Sequence, residues 1–348
     1  MRVVLFGPSS LAYWLIAKGR PAPENELGTE CLSACTPCDA AVTHAISQFP
    51  CLSLPLHCMV PTWQNPRAGI FSTHTSKAHY PKGSFVRIAD GIIAASPELV
   101  FVHMAQTANF LELIKVGSAL CSMFAIDPAA ENGLSPRPPL TNPQEIAAFL
   151  ERVPGLKGVK QARRALPHVV ENAASPPEIF LRMVLTLPRL YGGYGFSGCT
   201  TNQRLFPSRK AVAIAHRESL VPDLIWENAK LVVEFDSNSE HLHADQITLD
   251  SEKRLAYLHD GLTVITVTTK QLANPLRMRH VAEEIARRKG SSLRIRGSQF
   301  EQKHATLYRI GWSFATYHNS TWLDQHKDIA KTPSSKDQKA STAALSEQ

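Results

Sequence analysis

Three carboxylates set close together in an otherwise apolar stretch are the residues best placed to do chemistry. The stretch reads Val221-Pro222-Asp223-Leu224-Ile225-Trp226, then Glu227-Asn228-Ala229-Lys230, then Leu231-Val232-Val233-Glu234-Phe235-Asp236. Two apolar runs around a polar turn spell a β-hairpin. Side chains alternate along a strand, so Leu231, Val233 and Phe235 share one face while Val232, Glu234 and Asp236 share the other. If Trp226 lies opposite Leu231, Asp223 falls opposite Glu234, and opposed residues have Cβ atoms about 4.5–5.5 Å apart. A slip of one residue would turn Asp223 away. Acids crowded this way repel one another unless something neutralises them. A hard divalent cation does so, and oxygen ligands suit Mg²⁺. The plainer alternative is a hairpin with a polar solvent face. Against it, Leu231-Val232-Val233 is a continuous apolar run of the kind found in strands covered on both sides.

The elements that must position these acids can be read on either side. His241 follows the strand closely enough to reach its end, and a histidine near neutral pH can act as a general base. The pattern predicts a helix from Ala244 to Leu258 that carries Asp250, Lys253, Arg254 and His259, with Gly261 as its stop. Thr263 to Val267 is β-branched and reads as a strand, and Thr269-Lys270-Gln271-Leu272 opens the next helix. Hairpin, helix, strand and helix make an α/β core around a mixed sheet. Upstream, Ser175-Pro176-Pro177-Glu178 precedes an apolar helix from Ile179 to Leu187. There Glu178 either closes a capping box with Ser175 or is a further acid reaching the site.

The segment from Pro222 to Leu272 resembles the Vsr-like endonuclease-domain family of the PD-(D/E)XK superfamily. The residues that carry the resemblance are Pro222-Asp223, Val233-Glu234-Phe235-Asp236-Ser237, His241, Asp250 with Lys253-Arg254, Leu258 with Gly261 and Val264, and Thr266 to Thr269. The resemblance implies a C-terminal restriction-endonuclease-like core, a mixed sheet flanked by helices, joined to a smaller α+β N-terminal domain. It implies a Mg²⁺- or Mn²⁺-dependent endonuclease acting on DNA, with metal ligation by Asp223 and Glu234. It places Asp236 and His241 where mismatch-repair nucleases have functional histidines, and Glu178 where many members have a helix acid. Two positions depart from the pattern: Ser237 replaces a glycine, and Asp236 stands where the motif has lysine. Lys253 or Arg254 is left to supply the cation from the helix. A non-catalytic, antitoxin-like or nucleic-acid-binding regulator that retains the fold is the alternative function.

The rest of the chain divides into a segment over 1–50, an α+β domain over 51–155, the nuclease-like domain over 171–290 and a disordered, polar tail over 324–348. In the second region, Pro55 to Pro61 and Gly91 to Glu98 are similar to AbiEi-type antitoxin-like proteins. The N-terminal half is left to position substrate or a protein partner. Short β runs are expected at Leu54–Val60, Gly69–Thr73, Ser84–Ile88 and Gly91–Ala95. Helices are expected at Ser10–Lys18 with Ser9 or Ser10 as cap, from Ser96-Pro97, and at Phe110–Val116 with Gly117 as stop. Lys157, Lys160, Arg163 and Arg164 form either a solvated helix face or a nucleic-acid patch.

The 348 residues are 44% hydrophobic and 19% charged, enough for a sizeable core, and the net charge of +7 permits a polyanionic partner without demanding one. An odd count of 7 cysteines argues against a secreted disulfide scaffold. Cys31, Cys35 and Cys38, with His44 or Cys51, could form a zinc site, but reduced thiols are the better fit to the spacing. Gly7, Pro8 and Ser9 interrupt the N-terminal apolar run, and no apolar stretch is long enough for a bilayer, so a cytoplasmic protein without membrane contact is expected.

Overall fold

The computed structural model describes residues 2–62, 69–236, 244–295 and 297–315. The order begins β1 (Val3–Leu5), α1 (Gly7–Ile16), β2 (Glu26–Leu27), α2 (Asp39–Gln48), β3 (Leu56–Val60), β4 (Phe71–Thr75), β5 (Phe85–Ala89) and β6 (Ile92–Ala95). It continues α3 (Pro97–Met104), α4 (Phe110–Leu120), β7 (Phe124–Ile126), β8 (Leu134–Pro136), α5 (Pro143–Arg152) and α6 (Val159–Ala165). Then come α7 (Pro176–Thr186), β9 (Thr200–Thr201), α8 (Arg209–Ala215), β10 (Leu224–Trp226), β11 (Leu231–Asp236) and α9 (Ala244–His259). The last are β12 (Thr263–Thr268), α10 (Thr269–Leu272), α11 (Pro275–Arg288) and α12 (Ser298–Ala315).

The protein is thus mixed α/β. A six-stranded mixed sheet runs β2-β5-β6-β1-β3-β4, and a four-stranded mixed sheet runs β12-β11-β10-β9. The N-terminal half holds the larger sheet because β1 and β2 join it; β1 lies between β6, to which it is parallel, and β3, to which it is antiparallel. Among the described residues no helix is long and apolar enough to cross a membrane.

In the N-terminal half the strands fall close to their expected places, and the helix ends differ for identifiable reasons. Helix α1 begins at Gly7, earlier than Ser10, and Phe6 rather than a serine stands at its N-cap. The two serines are used elsewhere: Ser9 Oγ accepts from the His57 N–H and Ser10 Oγ from the Ala95 N–H, tying α1 to β3 and β6. Helix α4 runs through Gly117 to Leu120 instead of stopping there. Gly117 serves packing, since a Cβ at that position would lie 2.7 Å from both Phe101 and Val169. Helix α3 starts at Pro97 as expected, and Ser96 caps it by accepting from the Leu99 N–H. Lys157, Lys160, Arg163 and Arg164 are exposed, on and just before α6. Cys31 and Cys35 are buried, and burial pushes their thiols up to about 12 and about 11.

The four-stranded sheet explains itself residue by residue. Leu224, Trp226, Leu231 and Val233 join the main core, which also takes in apolar residues of α7 and α11. Ile225 and Val232, on the opposite face, pack with Ala211, Ala215, Ala256 and Tyr257 of α8 and α9. Both faces of β10 and β11 are therefore covered, and each large side chain buried there contributes roughly 1.5–3 kcal/mol. Strands β9, β10 and β11 form an antiparallel meander, and β12 returns through α9 to lie parallel to β11.

Candidate active site

The hairpin register is Trp226 opposite Leu231, Ile225 opposite Val232 and Leu224 opposite Val233. Lys230, in the left-handed region at φ 48°, closes the turn. Carried one step further, this register sets Asp223 across from Glu234. The Phe235 N–H donates to Asp223 Oδ2 at 2.5 Å, which fastens the carboxylate to the neighbouring strand. Glu234 lies on the same face as Val232 and looks towards α9. There the Lys253 ammonium meets both of its oxygens, at 2.9 Å from Oε1 and 3.0 Å from Oε2.

Electrostatics mark these two acids out. Burial raises the Asp223 carboxyl well above its ordinary value; Glu178 and Glu234 push it further, while the Phe235 N–H and Lys253 act against the rise. Burial also raises Glu234, and Lys253 opposes that rise. Tyr257 lies one helical turn beyond Lys253 on α9, with the Lys253 ammonium 5.8 Å from its ring centre. Its hydroxyl feels the Glu234 charge but makes no hydrogen bond of acceptable geometry, and burial drives it far above the usual phenol range.

Glu178 resolves its two readings in an unexpected way. Ser175 stands at the N-cap of α7, but its hydroxyl caps no N–H there; instead it donates to Glu178 Oε1 at 2.7 Å. The Ala174 N–H and the Asn202 side-chain amide donate to Oε2, each at 2.8 Å. The carboxylate therefore serves as the acceptor in a small network, 7% exposed, with its charge reaching both Asp223 and Glu234. Asn202 links the network to the hairpin, since its own N–H donates to the Asp223 carbonyl at 3.2 Å. Its φ of 48° suits an asparagine better than most residues.

Asp236 ends β11 beside Thr268 on the face of Glu234 and is half-buried. His241 lies outside the described residues, as does the polar tail over 324–348. Tyr257 and Asn202 escaped the sequence reading. Tyr257 carried a signal, the spacing from Lys253 that puts both on one helix face; Asn202 carried none.

Among the described residues no group of three or more His, Cys, Asp or Glu is arranged to hold a metal ion by itself. The Asp223–Glu234 pair suits a sparser mode. Its donors are hard oxygens, Lys253 offsets only part of the negative charge, and Glu234 Oε1 is buried without a hydrogen bond of good geometry. Mg²⁺ is often bound through one or two carboxylates with water and substrate oxygens completing its shell. Comparison with models of protein families, with curated proteins and with solved structures gives no match for this chain.

Proposed function

We propose that the chain is a metal-dependent endonuclease that hydrolyses phosphodiester bonds in DNA, with α7, β9, β10, β11, α9 and β12 forming a restriction-endonuclease-like core. The observation that carries this reading is the meeting of Asp223, Glu234 and Lys253 at one end of a buried hairpin, within reach of the Glu178 charge. A mixed sheet, β12-β11-β10-β9, with helices packed on both faces supports this reading. When bound, Mg²⁺ or Mn²⁺ would supply Lewis-acid polarisation of the phosphate and acidify a water molecule.

The residues divide the remaining work. Asp223 and Glu234 would hold the cation. Lys253, docked on Glu234 from α9, offers a positive charge for the phosphate as negative charge develops on it. It takes from the helix the part that a strand lysine has in the motif, where Asp236 stands here. Glu178 orients Asn202, which in turn holds the backbone of Asp223.

Plasmid nicking or cleavage that needs Mg²⁺ and is lost in the Asp223→Ala, Glu234→Ala double variant is the expected result. Undiminished cleavage by that variant overturns the reading. One observation favours the non-catalytic regulator: Lys253 contacts both oxygens of Glu234, so part of the site's charge is balanced by the chain itself.

A further inference from the structure

The ladder that places Asp223 continues away from the acids. Leu224 pairs with Thr201 and Ile225 with Thr200, and Leu205 and Leu220 exchange both of their backbone hydrogen bonds, at 2.8 and 3.0 Å. Residues 202–206 therefore run beside residues 219–223, from the level of Asp223 outward. On this extension stands Phe206, 80% exposed, the most exposed large hydrophobic side chain among the described residues.

A phenyl ring gains by leaving water, and this one is held in it. Pro207 stiffens the backbone after the ring. Ser208, the cap of α8, gives both its N–H and its hydroxyl to Asp260, at 2.8 and 2.5 Å. Arg204, Arg209, Lys210 and Arg217 are exposed on the same loop and on α8 and its exit, with the exposed acids Glu218 and Glu227 beside them, Glu227 accepting from the Gln203 side chain at 2.7 Å. An exposed aromatic ring on a tethered backbone, with cations on the same loop and helix, matches the two things every single strand offers, a flat base face and a line of phosphates. A duplex keeps its bases stacked on one another and would have to be opened to meet the ring.

We propose that Phe206 is a stacking platform for an unpaired base and that single-stranded DNA, laid along residues 202–206, is the substrate led to the Asp223–Glu234 site. The substrate assignment rests on the nuclease reading; the binding does not, so the two can fail separately. The test is fluorescence anisotropy of the full chain in EDTA, with a labelled oligothymidylate and a duplex of equal length. Phe206→Ala is expected to weaken single-strand binding by roughly 5- to 150-fold, the worth of one aromatic–base stack, while Phe206→Trp keeps it. Arg204→Ala is expected to flatten the dependence of log affinity on log salt by about 0.7, one phosphate contact on a single strand. Equal affinity of Phe206→Ala and the parent chain for the single strand, or an equal loss on the duplex, overturns the proposal. So does the absence of single-strand binding by the parent chain. A loss confined to the single strand, in a protein that cuts nothing in Mg²⁺, upholds the platform and removes the nuclease reading instead.

Discussion

Replacing Asp223 by asparagine is expected to stabilise the protein at neutral pH when divalent ions are withheld. Folding raises the Asp223 carboxyl through burial and through the charges of Glu178 and Glu234. The folded chain therefore keeps its proton to a higher pH than the unfolded chain does. Stability is full below the unfolded value and is lost as the pH climbs through the folded one. Asparagine never ionises and so escapes the loss, and its amide oxygen can still accept from the Phe235 N–H. Opposed positions on a hairpin sit about 5 Å apart at Cβ, and two unit charges at that range repel by roughly 3 kcal/mol at an effective dielectric constant near 20. Lys253 beside Glu234 takes part of this back. The expected gain is about 1–3 kcal/mol near pH 8, shrinking towards zero as the pH falls and the parent carboxyl takes up its proton. Urea melts in EDTA at a series of pH values measure it. A loss of stability of the same size at every pH would refute the reasoning, because it would show that the Asp223 charge is not repelled in the folded chain.

Lys253→Met should remove the ammonium docked on Glu234 and cost about 1–3 kcal/mol near neutral pH, less than for a fully buried pair because the ammonium is partly solvated; chemical denaturation checks it, and cleavage should fall with it. Mg²⁺ should raise the melting temperature of the parent chain, by the equivalent of about 2.7 kcal/mol at a hundredfold excess over its dissociation constant. The rise should vanish in Glu234→Gln; a rise that survives favours the regulator. Gly117→Val should destabilise by about 1–3 kcal/mol through overpacking against Phe101 and Val169, read as a lower urea midpoint with an unchanged slope.

The acid pair was legible as a hairpin with alternating faces, but local pattern left its register open to a slip of one residue; the structure sets Trp226 against Leu231 and so Asp223 against Glu234. Lys253 was legible only as one of two candidates, Lys253 or Arg254, on the expected helix; the packing of α9 on the hairpin brings Lys253 to Glu234. The place of β1 between β6 and β3 was not, because strand order depends on pairing between distant segments that no local period records. Gly117 and Ser175 show a second limit. Each carries a local signal, a helix stop and a helix cap, and each is used otherwise: Gly117 lets the distant Phe101 and Val169 pack close, and Ser175 donates to Glu178 three residues on instead of capping an N–H.

Helix α12 has a consequence for the order in which the chain assembles. Ile310 on it accepts from the buried Lys115 ammonium of α4 across 195 positions of sequence, and Tyr308 and Trp312 on it reach the Phe180 ring of α7. Contacts of such span are slow to form, whereas a hairpin closes within about 1–10 μs. Docking of α12 is then a late event, and a chain caught before it has its acids already paired across the hairpin while Phe180 and Tyr308 still face water. Such a species would be prone to aggregate, so the loss of this helix would be felt first as a shortened lifetime in solution.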